Sequence, residues 1–122
     1  MSDDADLVRA VNEASERWKS AFNAGNAAEC GAQYEHSATM KAEPFGTFEG
    51  IDKIQAFWQK LIDDGFSDVE YLDPQIEVVD QKSAVLTSSW KMNKAQGTIH
   101  RELWVIQEDG SAKLREDHFQ AS

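Results

Sequence analysis

Apolar side chains return along the first part of the chain at intervals of three and four. Leu7, Val11, Ala14, Trp18, Ala21 and Phe22 fall on one stripe of a helix. Ser2, Asp3 and Asp4 supply capping oxygens and favourable negative charge at its start, and Gly25 ends it. Asn26 with Glu29 three residues on reads as a capping box opening a second helix, predicted to run to about Tyr34. A short strand is expected over 36–41, then a turn at Pro44 and Gly46. A third helix opens after Gly50, with Ile51, Ile54, Phe57, Trp58, Leu61 and Ile62 on its buried side and Gly65 at its stop. Beyond that the period changes to two. Segments 68–80, 83–94, 98–108 and 112–120 read as strands, broken at Asp80-Gln81, Ala95-Gln96-Gly97 and Asp109-Gly110. Breaks this short require antiparallel neighbours, because a parallel pair needs a long crossover. Three helices followed by a four-stranded meander make an α+β arrangement, with the helices on one face of the sheet.

The strand over 98–108 is ambiguous by face. Strict alternation sends Ile99, Arg101, Leu103 and Val105 one way and Thr98, His100, Glu102, Trp104 and Ile106 the other. Neither set looks like a solvent face. The expectation is a sheet covered by helices on one side and by a second copy on the other, a homodimer through the outer sheet face.

Size and charge narrow the function classes. With 122 residues, the chain fits one domain, 1–122. The formal net charge of −10 argues against nucleic acid and against an anionic membrane surface, both of which call for cationic patches. No run approaches the ~18 apolar residues of a membrane span, and no leader is visible at Met1 to Leu7. Cys30 is the sole cysteine, which rules out an intrachain disulfide and agrees with a cytoplasmic location. It reads as a small core residue rather than a nucleophile. The three histidines and one cysteine show no metal-ligand spacing, and there is no phosphate-cradling glycine loop, so neither metal nor cofactor is expected.

Several segments together resemble the NTF2-like superfamily, in its SnoaL-like and ketosteroid-isomerase-like branch. They are WKSAFNAGN from Trp18 to Asn26, YEHSATM from Tyr34 to Met40, EPFG from Glu43 to Gly46, FEG from Phe48 to Gly50 and IQAFW from Ile54 to Trp58. WVIQEDG from Trp104 to Gly110 and DHF from Asp117 to Phe119 look like the last strands of such domains. The resemblance covers essentially the whole chain. It implies a cystatin-like cone in which three helices and a curved antiparallel sheet enclose a pocket. It leaves function open, since this fold hosts isomerases, cyclases, dehydratases, hydrolases and binding modules.

Read against that resemblance, Glu43-Pro44 stands where ketosteroid isomerases keep the Asp-Pro pair whose carboxylate moves a proton, which makes Glu43 a candidate base. An exposed loop glutamate before a turn proline is the other reading. The oxyanion hole does not carry over: its tyrosine and acid positions fall on Trp18 and Trp104, and an indole donates one N–H and cannot act as an acid. His100, Glu102, Arg115 and Asp117 form a second constellation, brought to the face of Trp104 by alternation. They would form an ion-pair network, or else serve a polar ligand, with Glu102 and Arg115 binding it and His100 with Asp117 or Glu102 as an acid/base pair. A one-residue slip would exchange Asp117 with His118. Trp18, Tyr34, Met40, Trp90, Met92, Trp104 and Phe119 would line a flat cavity suited to a small apolar or ring-shaped ligand. The sequence thus supports a small-molecule pocket protein, with isomerase, cyclase or lyase chemistry by proton transfer. The alternative is a non-catalytic binding or dimerisation module.

Overall fold

The computed structural model describes residues 2–122, with side chains from Asp4 onward. The capping roles given to the side chains of Ser2 and Asp3 lie outside the described residues. The first helix, α1 (Ser2–Asn23), buries all six residues of the anticipated stripe. The second, α2 (Ala27–Gly31), is only five residues long. Asn26 Oδ1 accepts from the Glu29 backbone N–H at 3.1 Å, one half of the expected box. The helix stops short of Tyr34, which already belongs to β1 (Tyr34–Glu43).

The chain then turns back as β2 (Gly46–Glu49) before α3 (Ile51–Asp63). The helices therefore do not all precede the strands, and the expected segment 36–41 is the middle of a longer strand. Helix α3 buries Ile54, Phe57 and Trp58. The last part is the anticipated antiparallel meander, β3 (Glu70–Asp80), β4 (Ser83–Lys91), β5 (Gln96–Ile106) and β6 (Ala112–Ala121). Gln96 and Gly97 lie inside β5 rather than in its turn. Gly97 has to be glycine: a Cβ there would run into the Gln120 carbonyl and the Trp90 ring.

All six strands join one sheet in the order β2-β1-β6-β5-β4-β3. Strand β1 pairs with β6 in parallel, a long-range pairing that local turn signals do not encode. Register shifts interrupt every pairing except β1–β2. Bulges of this kind bend a sheet and re-aim side chains. The helices pack on the inner face, where Met40, Leu86, Trp104 and Leu114 are fully buried. Among the described residues, no helix is long and apolar enough to cross a membrane.

Candidate functional site

Two bulges decide what faces the interior. In β5 the pairing steps from Ile99↔Phe119 to Arg101↔His118, so His100 is an extra residue. In β6 it steps from Glu102↔Asp117 and Leu103↔Glu116 to Trp104↔Leu114, so Arg115 is the extra one. Each extra residue inverts the alternation on one side of it. Ile99, Glu102 and Trp104 are buried together, as are Leu114, Asp117 and Phe119, while His100 and Arg115 are exposed. This corrects the uninterrupted alternation that sent His100 and Arg115 to the pocket and Ile99 away from it. Arg115 instead forms a two-pronged ion pair with Glu35, at 2.7 and 3.2 Å.

The interior holds a small cavity, about 30 Å³ measured as space open to the centre of a water molecule. Trp18, Tyr34, Trp90, Met92, Glu102, Trp104, Asp117 and Phe119 line it, as the sequence suggested they would be placed. Met40 is buried beside it, with its sulfur 3.7 Å from the Tyr34 hydroxyl, and does not reach the wall. Trp58 and Tyr71 are lining residues that sequence reasoning missed. Trp58 was legible only as part of the α3 stripe. Tyr71 arrives through the β3–β4 register, which sets it opposite Trp90.

At the cavity floor stand two buried carboxyl groups. Glu102 and Asp117 are cross-strand partners on one face. Tyr34 donates its hydroxyl to Asp117 Oδ2 at 2.7 Å, and Trp58 Nε1 donates to the Tyr34 oxygen at 3.2 Å. Trp104 Nε1 donates to Glu102 Oε1 and the Tyr71 hydroxyl to Oε2, both at 3.0 Å. Among the described residues, no cation pairs with either carboxyl. Burial pushes Asp117 up to about 7. Burial, then the neighbouring Asp117 charge, pushes Glu102 up to about 8. Like charges directly opposite in a sheet repel, so at neutral pH the pair favours holding a proton. The titration belongs to the pair rather than to either residue. Burial and the same two carboxylates raise Tyr34 and Tyr71 well above the usual phenol range, so both remain donors.

Among the described residues, three buried side-chain polar atoms have no partner: Trp18 Nε1, Trp90 Nε1 and Asp117 Oδ1. All three belong to residues lining the cavity. A buried polar atom left unpaired costs on the order of 1–3 kcal/mol, so the three leave hydrogen-bonding capacity around one hollow that has room for about two waters.

Glu43 is not part of this site. It sits at the end of β1, partly exposed, where Oε2 meets His118 Nε2 at 2.9 Å and Oε1 lies 3.7 Å from Lys41 Nζ. The His118 bond holds its carboxyl below the usual range, the reverse of a desolvated base. Glu43, His100 and His118 instead gather on the outer face.

No family model matches the chain, and a search of curated proteins finds no match. Solved structures do match closely in shape. A scytalone dehydratase-like protein from Novosphingobium aromaticivorans superposes with a TM-score of 0.84 at 14% identity, over 99% of this chain and 87% of that one. A ketosteroid isomerase-like protein from Erwinia carotovora atroseptica gives 0.80 at 13% identity, covering 95% of each. A type 2 hexachlorocyclohexane dehydrochlorinase, LinA, gives 0.80 at 9% identity, over 98% of this chain and 88% of the other. Identities this low speak for the fold alone. A bent six-stranded sheet closed by N-terminal helices, shared with these proteins nearly end to end, gives the chain the NTF2-like, cystatin-like fold that its sequence resembles.

Proposed function

We propose that the chain is a proton-transfer enzyme, an isomerase or lyase, acting on a small, flat, mainly apolar substrate that enters by parting the tryptophan walls of the cavity above Glu102 and Asp117, which in its closed form has room for about two waters. The observation that carries this reading is the unpartnered Asp117 Oδ1 at a cavity wall, beside a second buried carboxyl. An apolar core gains nothing from two acids without a cation; replacing them with packed hydrocarbon would be more stable. As a functional pair they make sense. The ionised member takes a proton from a carbon of the substrate. The protonated member, or the indole N–H groups of Trp18 and Trp90, stabilises the charge that appears on a substrate oxygen. The tyrosine and tryptophan donors hold the carboxyls in place. Solved neighbours of the same fold include proteins named for dehydration, isomerisation and dehydrochlorination, reactions that each move a proton.

The test is exchange of the acidic C–H of a planar ketone, 2-tetralone, in D2O, followed by NMR. The protein should accelerate exchange, and Asp117→Asn should lower the acceleration by about 10²-fold or more. Equal acceleration by wild type and both Asp117→Asn and Glu102→Gln would remove the pair from the chemistry.

A second reading is a non-catalytic module whose cone is filled by its own aromatics. The small cavity favours it, since Trp18, Trp90 and Trp104 are each at most 5% exposed. Under it, neither exchange nor quenching of tryptophan fluorescence by 2-naphthol is expected. Either reading is compatible with a homodimer through the outer sheet face, where Val85, Leu103 and Val105 are only partly covered.

A further inference from the structure

The bulge that removes His100 from the cavity delivers it to a different place. Three adjacent strands, β1, β6 and β5, bring Glu43, His118 and His100 together on the outer face of the sheet. One donor atom from each lies within 4.8 Å of the others. The two imidazole rings are 4.8 Å apart, centre to centre. These residues are far apart in sequence, so no motif announces them. We propose that Glu43, His100 and His118 form a binding site for a divalent transition-metal ion of the zinc class, on the face of the sheet opposite the cavity.

Two imidazoles and a carboxylate are the donor set that borderline-soft ions such as Zn²⁺ favour over Mg²⁺ or Ca²⁺. Ligands bound at about 2.0–2.1 Å around a tetrahedral ion lie roughly 3.3 Å apart, so the cluster must contract by up to about 1.5 Å at its widest. Rotation about partly exposed side chains supplies that movement. The contact of His118 Nε2 with Glu43 Oε2 is already 2.9 Å, and an ion can take the position between them. His100 Nε2 lies 2.9 Å from Gln120 Oε1. With Gln120 presenting its carbonyl oxygen, that nitrogen carries the hydrogen and Nδ1 keeps its lone pair. Metal-binding histidines commonly have their second nitrogen held this way. Among the described residues, the cations beside the cluster are Lys41, 3.7 Å from Glu43 Oε1, and Arg101, whose charge is occupied by Glu116 at 3.0 Å. Lys41 therefore opposes the ion, and its removal should tighten binding. Three protein donors leave a fourth position open to water or another ligand.

Isothermal titration of chelator-treated protein with Zn²⁺, and visible absorption with Co²⁺, test the site. One ion per chain is expected, with a Co²⁺ d–d band. His100→Ala and His118→Ala should each weaken binding at least tenfold, Lys41→Gln should strengthen it, and His36→Ala, an exposed histidine outside the cluster, should change nothing. His36, Lys41 and His100 are exposed and His118 is partly exposed, and circular dichroism checks that each variant is folded. Zn²⁺ binding that is absent below millimolar concentration, or that survives loss of both His100 and His118, overturns the proposal. The ketone-exchange assay reads the cavity independently, so failure of either proposal leaves the other standing.

Discussion

Asp117→Asn separates the stability of the fold from the purpose of the buried pair. Folding raises the proton affinity of Asp117 from an ordinary carboxyl value to about 7, chiefly through burial. The native state therefore binds more protons than the unfolded chain from about pH 4 to pH 7. Its stability is full below that window and falls as pH rises through it. The slope is about 1.4 kcal/mol per pH unit for each proton, so charging Asp117 in place costs on the order of 2–4 kcal/mol by pH 8. Glu102 extends the decline to about pH 8. Asparagine carries no charge to bury. It can keep the Tyr34 hydroxyl on its carbonyl oxygen and place its NH₂ where Oδ1 has no partner to lose. The variant should match wild type within about 1 kcal/mol at pH 4 and exceed it by about 2–4 kcal/mol at pH 8. Urea unfolding followed by tryptophan fluorescence from pH 4 to pH 9 measures both. A variant less stable than wild type at pH 8, or a wild type whose stability is flat across this range, would refute the buried-charge argument. More stability with less ketone exchange is the expected signature of a site that trades stability for activity.

Other substitutions probe neighbouring parts of the same design. Tyr34→Phe removes a donor to Asp117 and an acceptor for Trp58, and should lower stability by roughly 1–3 kcal/mol in urea titrations, with Asp117 titrating higher still by NMR. Gly97→Ala forces a methyl group into the Gln120 carbonyl and Trp90, so the β5–β6 pairing should break and soluble yield and near-ultraviolet dichroism should fall sharply. Arg115→Ala breaks the pair with the partly buried Glu35, whose carboxylate keeps its bond from Gln107, and should change stability by about 1 kcal/mol and exchange rate hardly at all, which distinguishes it from a pocket residue. Leu103→Glu places a charge on the outer sheet face and should convert a dimer to monomer by light scattering; an unchanged mass would exclude that face as the contact.

The chain alone determined the stripes of α1 and α3, the capping of α2 by Asn26, the antiparallel meander and the aromatic character of the interior. Each is a local matter, a period of 3.6 or 2 or a turn residue, and local physics is written in consecutive positions. It also pointed to Glu102 and Asp117 as acids facing inward. Only the tertiary structure decided which other groups join them. A single extra residue at His100, and another at Arg115, exchange the two faces of a strand, and nothing in a strictly alternating pattern marks where such a bulge falls. The parallel pairing of β1 with β6 joins segments more than 70 residues apart, and it alone sets Tyr34 against Asp117 and Glu43 against His118. Contacts of that kind depend on how the sheet closes over the helices, which no neighbouring residues encode.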